Sequence, residues 1–384
     1  MHKLVIIFIF LFHSSLWAAE YYIGLQDNID FASVQTLTGD VTIIKKLNNL
    51  ELLLVSSPTE PKIDFAKFVF KKGKATQSRL NSKTKKNNLL IKKAETESNS
   101  HTSVQEVFPL PNKDTLVPWG IDFMQASNYW DKGHYGKGVK ILLLDSGVYK
   151  DSPSLKGRIA GSKDFTKSKV QLGVPYPEYD SSGHATHIAG TILGNGANGV
   201  YGMAPQAELY AGKICVFLCD SLDSIFEAIE WGLEKDINII SLSLNSQQIE
   251  RWQEIGSHVF KKLEQKNIVV VASAGNKRTD QNNFKAFPAN MPTVLAVGGL
   301  DKAGNITSFT NLSEDLNVFA PGLDVVSASL GRGINSRPSG TIEKTGTSMA
   351  VPHIVGLAAL LISESPSISS ADVRSKIINH PTQP

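Results

Sequence analysis

The chain has 384 residues, of which 41% are hydrophobic and 20% charged, enough for one large globular domain and a smaller second one. That composition excludes disordered and collagen-like chains. The formal net charge is +3, but residues 1–106 carry 14 basic and 10 acidic side chains while residues 107–384 carry 25 and 26, so the larger part lacks the basic excess of a nucleic-acid binder.

The first nineteen residues read as an export signal. One early lysine precedes an apolar run, Leu4 to Phe12, and small residues follow at Ala18 and Ala19. The run is short for a bilayer span, so no stable membrane anchor is expected. Residues 20–70 hold four strand-like stretches, "YYIGLQ", "VTIIKKL", "LELLLVSS" and "KFVFKK", the pattern of a small α/β or β-rich unit. From residue 71 to 112 the chain turns rich in lysine, asparagine and serine, which reads as a basic linker.

From residue 113 to 384 apolar runs alternate with amphipathic helical stretches. The runs are "VKILLLD", "INIISLSL", "NIVVVASAGN" and "TVLAVGG"; the helices are "SLDSIFEAIEWGLEKD", "QIERWQEIGSHVFKKLEQK" and "SADVRSKIINH". Solid β-branched runs between helices predict a doubly wound α/β fold, a mostly parallel sheet covered on both faces. In such sheets ligands gather beyond the carboxyl ends of the strands. One run stops at Asp145, one near Asn245 and one at Asn276. A carboxylate directly after apolar residues asks for a paired cation or histidine.

"GHATHIAG", residues 183–190, supplies a candidate in His184 at a helix start. "GTSMAVPH", residues 346–353, places Ser348 at the head of an apolar helix, with Pro352 in the early helix. A serine hydroxyl needs a base, and the base needs a carboxylate to hold its tautomer. Asp145, His184 and Ser348 are the residue types for that chemistry. Asn276 would donate to an oxyanion through its amide, with the Ser348 N–H as a second donor.

The order Asp, His, Ser and the segments "LLLDSGV", "GHATHIAG", "SAGN" and "GTSMAVPH" resemble the subtilases, subtilisin-like serine peptidases. "VPWGIDFMQA", "YGMAPQAELYAGKI", "AIEWGL" and "FAPG" resemble the framework of that family, from about Leu116 onward. The resemblance implies Asp145 as orienting acid, His184 as general base, Ser348 as nucleophile and Asn276 as oxyanion donor. His187 and His353 match motif positions outside that set. It also implies a protein or peptide substrate, bound along Ser243, Leu244 and Asn245 and along Ala274 and Gly275. Residues 20–70 resemble more weakly a propeptide that inhibits its own enzyme and is cut off in the linker. Together these imply a secreted endopeptidase made as a precursor.

Several positions depart from the family. Ala185 replaces a second glycine after the histidine, and Asn245 replaces a glycine at the end of the substrate strand. Lys277 follows the oxyanion asparagine, with Ala286 further along that wall, and favours an acidic or polar substrate side chain. Ser154 stands where the family has a calcium-binding aspartate, so no cofactor is expected to be required and the structural calcium site is in doubt. Cys215 and Cys219, the only cysteines, leave a local bridge and free thiols as alternatives.

Three other functions compete with this reading. A catalytically silent binding protein on the same fold would tolerate Ala185 and Asn245. A lipase or esterase of the α/β-hydrolase class wants Gly-x-Ser-x-Gly and the reverse residue order. A metallopeptidase would have to use His184 and His187, without H-E-x-x-H or a third acidic ligand; no metal site is predicted.

Overall fold

The computed structural model describes residues 19–25, 41–58, 60–61, 66–71, 109–166, 180–215, 222–244, 249–276, 286–330 and 340–383. The predicted signal peptide and most of the predicted linker lie outside the described residues, as do Cys219, Asn245 and Lys277. The chain divides into two compact units, Met1–Gly73 and Lys74–Pro384.

In the first unit β1 (Ala19–Leu25), β2 (Thr42–Leu47), β3 (Leu52–Ser57) and β4 (Ala66–Lys71) form an antiparallel sheet in the order β2-β3-β1-β4. These are the four stretches expected from the sequence. Tyr21, Tyr22, Ile23, Leu52, Leu53 and Val55 are buried. The edge strand β2 carries Lys45 and Lys46 and a register shift between Ile43 and Lys45, features that discourage pairing with a foreign strand.

The second unit is built on seven parallel strands. These are β5 (Lys140–Asp145), β6 (Ile159–Asp164), β7 (Glu208–Lys213), β8 (Ile239–Leu242), β9 (Val269–Ser273), β10 (Val294–Leu300) and β11 (Val318–Pro321). Their order is β11-β10-β9-β8-β5-β7-β6, parallel throughout. The expected doubly wound α/β architecture is therefore present. Two short helices, α1 (Trp119–Phe123) and α2 (Ser127–Trp130), precede the sheet. An antiparallel pair, β12 (Val325–Ala328) and β13 (Thr341–Lys344), stands outside it.

Side chains along β5 point alternately to the two faces, as strand geometry requires. Ile141 and Leu143 join the core that also contains α3 (His184–Leu193), α6 (Thr347–Glu364) and α7 (Ser370–Ile378). Leu142 packs beside Gly232 at the end of α4 (Leu222–Leu233), on the opposite face. The amphipathic α5 (Ile249–Gln265) packs on β9. Among the described helices, α6 is long and apolar enough to cross a membrane by composition, but Thr347 to Leu361 are buried inside this core.

The chain starts at β5, moves to one side for β6 and β7, then crosses back to lay β8 against the other edge of β5. Strand order reverses there, and the crevice beyond the carboxyl ends of β5 and β8 is where a doubly wound sheet offers room for a ligand. Asp145 ends β5 and Ser243 follows β8.

Candidate active site

Asp145 is only 4% exposed. One carboxylate oxygen accepts from the Ser146 N–H at 2.7 Å. The Nδ1 of His184 lies 2.8 and 2.9 Å from the two carboxylate oxygens. An ionised carboxylate only accepts, so Nδ1 must carry the proton and donate. That leaves Nε2 as the other face of the ring, a lone pair when the imidazole is neutral.

His184 opens α3 behind Gly183, whose φ of 69° is a backbone conformation that suits glycine. Ala185 lies inside α3, fully buried and without a positive φ, so the methyl group in place of the family's glycine is accommodated. The turn into α3 is tied down by Asp180, a residue the sequence reading did not single out. Asp180 is 0% exposed. Its oxygens accept from Ser146 Oγ at 2.7 Å, from the N–H groups of Ser182 and Gly183 at 3.1 and 2.9 Å, and from the Thr186 N–H and hydroxyl at 2.8 and 2.7 Å. A buried carboxylate surrounded by five donors at a helix N-terminus is well compensated.

Ser348 is the second residue of α6, in the first turn, where N–H groups have no intrahelical acceptor. Its hydroxyl donates to the Ser243 carbonyl at 3.2 Å, and the Ser243 hydroxyl donates back to the Ser348 carbonyl at 3.1 Å. The end of β8 and the head of α6 are thus held together.

Asn276 follows β9, and its side-chain oxygen accepts from both the N–H and the hydroxyl of Thr347, each at 2.8 Å. The Asn276 amide nitrogen is directed the other way. It stands 3.0 Å from the place a Cβ at Gly346 would occupy. Gly346 has φ 150° and a neighbour that any side chain would meet, so glycine is required on both counts. Thr347 Oγ1 also accepts from the Gly275 N–H at 3.1 Å.

Ala274 and Gly275, expected to pair with substrate, use their backbone groups internally. The Ala274 N–H donates to Val297, and the Ala274 carbonyl accepts from Asn311 Nδ2 at 2.8 Å. The Gly275 carbonyl accepts from the Asn311 N–H at 3.1 Å. These bonds tie the segment to Val297 and Asn311. Leu244 is buried and its carbonyl accepts from Ser273 Oγ at 3.4 Å. Ala286 is buried.

Two further histidines are buried and neutral. His187 Nε2 donates to the Val325 carbonyl at 2.9 Å, and its Nδ1 has no partner. Burial, followed by repulsion from Lys344, lowers its pKa to about 3. His353 Nδ1 donates to the Met349 carbonyl at 3.0 Å, and burial lowers its pKa to about 4. Both serve the framework.

The loop where the family resemblance implies calcium is closed by its own hydrogen bonds. Buried Ser154 donates to the Ala197 carbonyl at 3.0 Å. Both amide atoms of Asn195 are engaged, at 2.9 Å with the Ala197 N–H and at 3.0 Å with the Pro153 carbonyl. A hard cation needs several free oxygens, carboxylate among them, and this set does not fit one. Among the described residues no group of three or more His, Cys, Asp or Glu side chains could hold a metal. Cys215 is in a disulfide; Cys219 lies outside the described residues.

The subtilase family model matches residues 136–383. A thermostable alkaline protease of Halalkalibacterium halodurans is 34% identical over 264 residues, covering 68% of this chain and 67% of that protein. Subtilisin NAT of Bacillus subtilis subsp. natto is 34% identical over 273 residues, covering 68% and 65%. Subtilisin of Bacillus pumilus is also 34% identical over 273 residues, which is 90% of that protein. The chain therefore spans about two thirds of the first two relatives. A crystal structure of a cold-adapted subtilisin-like serine proteinase superposes with a TM-score of 0.53 at 25% identity, covering 64% of this chain and 82% of that one. The chain belongs to the subtilase family, the subtilisin-type serine peptidases.

Proposed function

We propose that the chain is an exported endopeptidase that hydrolyses peptide bonds through an acyl-enzyme, with Ser348 as nucleophile, His184 as base and Asp145 as orienting acid. The observation that carries this reading is the His184 Nδ1, held at 2.8 and 2.9 Å by a buried carboxylate at the switch point of the sheet. The Ser348 hydroxyl turns from the Ser243 carbonyl to give its proton to Nε2 as Oγ attacks the scissile carbonyl. The tetrahedral oxyanion is met by the Asn276 amide and the first-turn N–H of Ser348. The imidazolium then protonates the leaving amine, and water repeats the sequence to free the acid. Subtilisin is a standard example of both this residue order and this asparagine donor.

The first unit acts in this reading as an inhibitory propeptide, removed by cutting in the linker. The whole is exported by the N-terminal signal and works outside the cell or in the periplasm. In this reading calcium is not required, and the Ser154 hydroxyl closes its loop by donating to the Ala197 carbonyl.

N-terminal sequencing of the purified wild type beside Ser348→Ala tests the reading. The wild type should lose the first unit in buffer with or without a chelator, and the variant should keep it. Both proteins remaining full length would overturn self-processing, and equal peptide cleavage by both would remove Ser348 from the chemistry.

A further inference from the structure

Lys344 is a cation at the site that the reaction above does not use. It ends β13, four residues before Ser348. Its Nζ lies 3.9 Å from the place a Cβ at Gly183 would occupy, so the ammonium rests against the turn that leads into His184. The side chain is partly buried. Its charge is felt by Asp145 at the end of β5, by Asp180 in the turn before α3, and by His187 in α3 itself.

Neither carboxylate closes a contact with the ammonium. Asp180 directs its oxygens at five donors of its own turn, and Asp145 directs its oxygens at His184 and Ser146. Among the described residues the Lys344 ammonium has no hydrogen bond or ion pair. The position is also unfavourable for a cation: partial burial removes water, and the N-terminal end of α3 repels positive charge. Burial lowers the Lys344 pKa against the opposing pull of Asp180 and Asp145.

We propose that Lys344 receives an acidic side chain of the peptide substrate on the leaving side of the scissile bond. This rests on the peptidase reading above. Ser243 is bonded to Ser348, and Asn276 to its neighbour Thr347. The leaving amine takes its proton from His184, and the Lys344 ammonium rests against the turn that leads into His184, so the departing residue is the part of the substrate that passes nearest to it. An aspartate or glutamate arriving there supplies the missing counter-charge in a partly desolvated place, where opposite charges discriminate strongly between partners.

The test uses the full chain as produced and three peptides identical except for the first residue after the scissile bond, which is Glu, Gln or Lys. The wild type should show a kcat/KM about tenfold higher for the Glu than for the Lys peptide, a ratio that shrinks as salt is added. Comparing the two peptides within each protein cancels any common change in turnover. Lys344→Arg should keep the preference, Lys344→Gln should flatten it, and Lys344→Glu should invert it. Equal cleavage of all three peptides by the wild type, or a preference that survives in Lys344→Gln, overturns the assignment alone. Failure of the wild type to cleave any peptide overturns the peptidase reading and this inference with it.

Discussion

The oxyanion role proposed for Asn276 depends on the neighbour that holds its side chain. Thr347 occupies the asparagine oxygen with two 2.8 Å hydrogen bonds, which fixes the amide orientation and leaves the NH2 group on the Gly346 side. Removing one oxyanion donor costs about 10²–10³ in turnover, a magnitude known from a subtilisin itself. Thr347→Val leaves the donor in place but removes one of its two anchors. Its kcat should fall roughly tenfold, with KM little changed, because the interaction is realised only in the transition state. Thr347→Ser should restore most of the rate. Steady-state kinetics on one peptide check this, and a rise in KM at constant kcat would contradict it. At this scale the places of Asp145 and Asn276 after strands, and of His184 and Ser348 at helix starts, were legible, because each follows an apolar run or opens one. Thr347 was quoted within its motif but given no role, since nothing local says which way its hydroxyl points.

At the scale of the element, the head of α3 depends on Asp180. Five donors converge on this one buried carboxylate. Asp180→Ala would leave several of them buried without acceptors, at a cost of roughly 3 kcal/mol or more. The urea midpoint should drop accordingly. Peptidase activity should drop at temperatures where the variant is still folded, since Gly183 and His184 lose their anchor. Asp180→Asn should recover only part, because one of its two side-chain groups then donates where an acceptor is needed. A variant as stable as wild type would refute this account. The helices and strands of the second unit were largely visible as apolar periodicity. β6, β7, β11, β12 and β13 were not: no residue of β6 is buried, β7 carries glycine and lysine at its end, and the other three are four-residue runs, β11 ending in proline. The role of Asp180 was hidden too, because its partners come from Ser146, 34 residues earlier, as well as from its own turn.

For the whole molecule, acid stability follows from the two neutral histidines. Their folded pKa values, about 3 for His187 and about 4 for His353, lie below the ordinary 6.5. Below pH 6.5 the unfolded chain therefore binds more protons than the folded one, and folding weakens as pH falls. Stability from these groups is full above about pH 6.5 and declines through the range down to about 4 and 3. Thermal midpoints measured from pH 8 to pH 4 should be flat at first and then fall steadily. A midpoint that holds constant down to pH 4 would show that these rings are not kept neutral by burial.

The sequence by itself determined the class of sheet, the order of the candidate residues and the family they belong to, because apolar periodicity and short motifs are written along the chain. Only the tertiary structure decided how those residues are used. It placed the Asp145 carboxylate on His184 Nδ1, gave the backbone of Ala274 and Gly275 internal hydrogen bonds, and set the Lys344 ammonium beside the turn before His184 with no partner among the described residues. The physical reason is common to all three: direction and satisfaction of hydrogen bonds depend on atoms brought together across tens to hundreds of residues, which no local pattern specifies.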